Sequence, residues 1–92
     1  MQNQQKLTFK DGTVFNGRAS ESAYGIYLYI EGQTVNEVVS ILSDSEKTSR
    51  IEYECNSAVI VYEGYTEIFS IGKTGEAVSA ILQKGGVNDG NN

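Results

Sequence analysis

The stretch from Ile51 to Tyr62 has little freedom in how it folds. Ile51, Tyr53 and Cys55 alternate with Glu52 and Glu54, the two-residue period of a strand with one apolar face. Asn56-Ser57 follows and would close a two-residue turn into Ala58 to Tyr62. Folding back at that turn sets Cys55 opposite Ala58, Tyr53 opposite Ile60 and Ile51 opposite Tyr62, apolar facing apolar on every rung. Glu54 and Glu52 then fall beside Val59 and Val61 on the other side.

Further strands are legible around this hairpin. Tyr24 to Ile30 places Ile26, Leu28 and Ile30 on one face and Tyr27 and Tyr29 on the other, which predicts a strand that is central or covered on both sides. Lys6 to Lys10 and Thr13 to Phe15 read as a hairpin turning at Asp11-Gly12. Its expected register pairs Phe9 with Val14 and Thr8 with Phe15, with Leu7, Phe9 and Val14 on the core face. Residues 16–22 are polar and read as an exposed strand continuation or a loop, with Gly17 a candidate bulge. Gly64 is expected to bend the chain, and Tyr65 to Ile71 to form a strand with Tyr65, Phe69 and Ile71 on one face. The chain has no proline, so its turns rest on Gly, Asn, Asp and Ser.

A helix interrupts the strands. Thr34 and Glu37 form the spacing of a capping box, in which the hydroxyl takes the Glu37 amide and the carboxylate reaches back. Val35, Val38, Val39 and Leu42 follow at the spacing of one helical face, with Ile41 at its edge. Ser43 to Ser49 reads as a polar connection. Ala77 to Gln83 fits a last strand or a helix capped by Thr74; a strand gives the meander an edge partner and is the preferred reading. Gly85 to Asn92 reads as a disordered tail behind a single domain over residues 1–84. The expected fold is α+β: an antiparallel β-sheet or partly open barrel of about six to seven strands, with one short helix (about 34–43) packed on one face.

Charge and residue usage argue against several kinds of chemistry. Twelve acidic and seven basic residues leave a net charge of −5, which opposes nucleic-acid backbones and anionic membranes. Met1 to Gln5 is polar and amide-rich, unlike the start of a secretion signal. With one cysteine, Cys55, and no histidine, neither a disulfide within the chain nor the usual neutral-pH proton shuttle is available. A reducing location, cytoplasmic or virion-associated, is expected. Cys55 lies on an apolar strand face with no histidine to activate it, so packing is its expected role. Gly72-Lys73-Thr74 resembles the end of a phosphate loop, but Glu67 stands where that motif needs glycine, and a strand-to-strand turn is expected instead. Glu52 with Glu54 reads as a solvated strand face, and Glu63 with Glu67 lacks the extra ligands of a metal site. No catalytic, cofactor-binding or metal-binding residue is assigned, and no enzyme is expected.

Six tyrosines and no tryptophan are the surplus that remains. Tyrosine combines apolar area with a polar tip and is favoured at interfaces. The plain account is hydroxyls reaching the rim of a thin core. The functional account is an interaction surface, for which Tyr27, Tyr29 and Tyr65 are the candidates.

The stretches LTFKDGT (Leu7 to Thr13), SDSEKTSRI (Ser43 to Ile51) and VYEGYTEI (Val61 to Ile68) resemble those of small, uncharacterised proteins encoded in phages and prophages of gut Firmicutes. That family often carries a proline where Ser45 stands here. The resemblance implies a prophage-related accessory or structural role and transfers no site. The resulting expectation is a non-enzymatic interaction or assembly module, with a protein partner or self-association, for instance as a homodimer. The alternative is an acidic inhibitor that masks a host protein.

Overall fold

The computed structural model describes residues 5–85. Among these residues seven strands are formed: β1 (Gln5–Phe9), β2 (Val14–Ser22), β3 (Gly25–Glu31), β4 (Arg50–Cys55), β5 (Ala58–Glu63), β6 (Glu67–Thr74) and β7 (Ala77–Gln83). Two helices, α1 (Val35–Leu42) and α2 (Ser45–Thr48), lie between β3 and β4. The strands make one antiparallel sheet in the order β5-β4-β1-β2-β3-β7-β6. The α+β architecture expected from the sequence is the one observed. Met1 to Gln4 and Gly86 to Asn92, which hold most of the amide-rich start and of the expected tail, lie outside the described residues.

The connection between β5 and β6 decides the shape of the sheet. These strands stand at opposite ends of the order, yet only Gly64, Tyr65 and Thr66 join them. In a flat sheet, six spacings of about 4.8 Å would part them by roughly 29 Å. Four extended residue steps from Glu63 to Glu67 reach only about 14 Å. The sheet therefore curls until its two ends approach at the link, a barrel left open because β5 and β6 are not paired. The amide of Gly64 donates to Ser49 O (3.0 Å), and that of Gly85 to Gly64 O (2.8 Å), fixing the link at both sides.

The concave face holds the core. Leu7, Ile26, Leu28, Ile30, Ile51, Val78 and Leu82 are wholly buried there, with Phe9 and Phe15 meeting edge to face at 5.6 Å. Helix α1 closes over this face, lying closest to β6, with Val38 and Leu42 buried in the same core. Its capping box is complete: Glu37 N donates to Thr34 Oγ1 (3.1 Å), and Thr34 N to Glu37 Oε1 (2.9 Å). Gly17 and Gly25 let neighbouring strands come close at the curl. A Cβ on either would overlap a backbone carbonyl oxygen, of Tyr29 and of Leu82 respectively.

Several expectations are borne out. The register from Ile51↔Tyr62 to Cys55↔Ala58 is the expected one, with Asn56 and Ser57 at φ 53° and 76° in the turn. β3 is central, between β2 and β7. Ala77–Gln83 is a strand, paired on both sides by β3 and β6. Residues 16–22 continue β2, the strand alternative, but the bulge expected at Gly17 is not formed, because the pairing runs through it without a shift.

Others are corrected. The first hairpin pairs Thr8 with Val14 and Leu7 with Phe15, one residue away from the expected register. The loop between Phe9 and Thr13 has three residues: Gly12 N donates to Phe9 O (2.9 Å), Phe9 N to Thr13 O (2.8 Å), and Gly12 takes φ 94°. A one-residue slip exchanges the faces, so Phe15 enters the core and Val14 is exposed. A bulge between Ile68 and Ser70 likewise turns Phe69 outward and leaves Ile68 and Ile71 opposite Leu82 and Ala80. Tyr65 lies in the link rather than in a strand, and Gly72-Lys73-Thr74 ends β6, the turn being Gly75-Glu76. The polar connection contains α2, capped when Asp44 Oδ1 accepts from Glu46 N at 3.0 Å.

Candidate functional site

Among the described residues, strand β5 ends the sheet, paired with β4 on one side and with no strand on the other. In a two-residue hairpin the flanking residues, here Cys55 and Ala58, exchange both backbone hydrogen bonds. The pattern then alternates, so Ala58, Ile60 and Tyr62 spend their amides and carbonyls on β4. Val59, Val61 and Glu63 direct theirs away from the sheet. Lys84 Nζ reaches one of these, Glu63 O, at 2.9 Å. Among the described residues, the free part of the edge is thus the backbone of Val59 and Val61.

The side chains along this edge are apolar and open to solvent. Val59, Ile60 and Val61 are exposed by 54%, 49% and 40%, although Ile60 belongs to the concave face. No charge interrupts Ala58 to Tyr62. Charge lies just beyond: Arg50 bridges Glu63 (3.0 Å) and Glu52 (3.1 Å), and Lys6 stands 4.0 Å from Glu54. Natural edges are usually guarded by an inward charge, a lysine, a proline or a bulge, and Ala58 to Tyr62 carries none of these. The opposite edge is different. β6 has its bulge, carries Glu67 and Lys73, and its exposed Phe69 is stacked on Tyr24 at 5.4 Å.

Tyr27 and Tyr29 share the convex face of β3 and are half-buried. Tyr29 lies under Arg18, whose guanidinium carbon is 4.1 Å from the ring centroid. Tyr65 does not join them. It packs against the core from the link, edge-on to Tyr62 at 6.2 Å and with Lys84 Nζ 4.8 Å from its ring. Val59, Ile60 and Val61 were not singled out by sequence reasoning. The available signal was an uncharged, β-branched run without proline, the pattern of strands prone to intermolecular pairing.

The chemical candidates are dispersed. Cys55 is half-buried and accepts from Gln5 Nε2 at 3.5 Å. Burial, reinforced by Cys55, raises the Tyr53 phenol above its ordinary range. Burial also raises that of Tyr62, with Glu21 and Tyr65 adding to it. The Thr13 amide and hydroxyl hold the Asp11 carboxyl low. A solvent-open depression beside α2 is lined by Lys10, Asp11, Asp44, Glu46 and Lys47 among others, with Lys47 lying 3.7 Å from Asp11 and 4.0 Å from Asp44. Among the described residues no group of three or more His, Cys, Asp or Glu could hold a metal ion. No helix among them is long and apolar enough to cross a membrane. No family model, curated protein or solved structure matches the chain.

Proposed function

We propose that this chain is a non-enzymatic interaction or assembly module that binds by accepting an added strand along β5. The observation that carries the proposal is the uncharged edge at Val59–Val61, whose backbone donors and acceptors are unspent among the described residues and whose three consecutive apolar side chains lie in solvent. Strand addition uses these two resources together: backbone hydrogen bonds give affinity, and alternate side chains give selectivity. The convex tyrosines serve less well, because Tyr29 is already engaged by Arg18. The resemblance to phage and prophage proteins supports an accessory or virion component as the setting.

Removing one outward amide tests the proposal. In Val61→Pro the lost N–H faces away from β4, so the hairpin keeps its ladder while an incoming strand is blocked. Association measured by light scattering and by affinity capture should be lost in Val61→Pro, with an unchanged circular dichroism spectrum. Association that survives the substitution in a folded variant would place the interaction elsewhere.

A further inference from the structure

We infer that the strand added to β5 is β5 of a second copy of this chain, antiparallel, with a two-fold axis passing beside Ile60; this rests on the strand-addition reading above.

Hydrogen-bond parity restricts the choices. The residues offering outward backbone groups are Val59, Val61 and Glu63, so an antiparallel partner strand must set one of these opposite another. Three symmetric registers satisfy this over the exposed run. With the axis at Val59, Val61 faces the turn residue Ser57 of the second copy and Tyr62 faces Asn56, leaving apolar groups beside polar ones. With the axis at Val61, Glu63 lies directly against Val59 and is pulled away from water. With the axis at Ile60, every rung matches. Val59 meets Val61, each exchanging two hydrogen bonds, and Ile60 meets Ile60. The small Ala58 meets the large Tyr62, and Ser57 meets Glu63, whose charge Arg50 already answers at 3.0 Å.

The geometry also limits the assembly. An interface made with the same patch on both copies closes at two. It would use up both β5 edges and leave the bulged β6 edges at the ends of the joined sheet, where further growth is blunted. Only a few residues per copy are covered, well short of the roughly 800 Å² per partner of a tight complex. The dimer is therefore concentration-dependent.

Sedimentation velocity of the full chain over a wide concentration range should show the mass doubling, and Val61→Pro should hold it at one copy. The register is read by cross-linking in a Cys55→Ser background. Ile60→Cys brings two sulfurs across a rung whose Cα atoms are about 4.5 Å apart, within disulfide range, and should give a covalent dimer on mild oxidation. Val59→Cys lies opposite Val61 of the second copy and should link far more slowly. Equal linking at both positions, or faster linking at Val59→Cys, would overturn the register. A strict monomer that still captures a different protein, with capture lost in Val61→Pro, would overturn the second copy as occupant and leave the strand-addition function standing. A strict monomer with no capture sensitive to Val61→Pro would remove both.

Discussion

The guanidinium carbon of Arg18 sits 4.1 Å from the ring centroid of Tyr29, its direct cross-strand neighbour on the convex face. A cation over an aromatic face at an exposed site is worth about 0.5–1 kcal/mol. Arg18→Ala should lower stability by about that amount in urea unfolding, and Tyr29→Phe should leave it nearly unchanged. Tyr29→Leu in the Arg18→Ala background should add little, because the pair acts as one interaction. Full additivity would show that the ring and the guanidinium stabilise the sheet separately.

The capping box of α1 is the second measurable contact. Thr34 accepts from the Glu37 amide, and Glu37 accepts from the Thr34 amide. Thr34→Ala should cost about 1 kcal/mol, and Glu37→Ala less. An eight-residue helix cannot persist alone, so the loss should appear as global unfolding. Local fraying of α1 seen by hydrogen exchange, with the global midpoint unmoved, would argue against that coupling.

Two glycine substitutions separate crowding from backbone conformation. Gly17→Ala drives a methyl group into the Tyr29 carbonyl at the curl of the sheet. It should cost about 3 kcal/mol or prevent folding. At Gly12 nothing lies within 4 Å of an added Cβ, but φ is 94°. There Gly12→Ala should cost about 1–2 kcal/mol, the penalty of a left-handed backbone alone. Thermal melts of the two variants should differ clearly in midpoint.

Alkali should unfold this protein through its buried phenols. Tyrosine ordinarily titrates near pH 10. Burial first, then Cys55, raises Tyr53; burial first, then Glu21 and Tyr65, raises Tyr62. Above about pH 10 the unfolded chain therefore releases protons that the folded chain retains. The stability from this source is fully present below that pH and falls as pH rises through and beyond it. The urea midpoint should drop on going from about pH 9 to about pH 11, and Tyr62→Phe should shallow the drop. A pH profile identical in Tyr62→Phe would exclude Tyr62 as a contributor.

Local signals in the chain were informative where they were redundant. The β4–β5 hairpin was legible because the turn and the alternation of both arms agree on one register. The α1 cap was legible because two residues at fixed spacing do one job. The first hairpin was misplaced by one residue because Asp11-Gly12 suits both a two-residue turn and the last positions of a three-residue loop. Only the burial of Phe15 over Val14 separates them, and that depends on the packed structure. The bulge at Ile68–Ser70 has no turn residue to announce it, so simple alternation places Phe69 on the wrong face.

The candidate site was hidden for a different reason. Whether Val59 and Val61 lie at an edge depends on the strand order, and that order is set by β4 docking on β1 across the sequence. Periodicity reports which face a residue occupies and carries no information about which strand lies beyond it. The tyrosines stand out by composition, whereas the exposure of the valines follows from topology.

The link at Gly64–Thr66 has a consequence for how the molecule folds. The β1–β3 meander is built from local contacts, while the β4–β5 and β6–β7 hairpins dock on its two flanks. Three residues tether those hairpins, so whichever docks first carries the other to within a short search of its own place. The two flanks should thus assemble in a single kinetic step despite their distance in the sheet. Inserting a long flexible segment at Thr66 should slow refolding and split it into two phases, one for each side of the barrel.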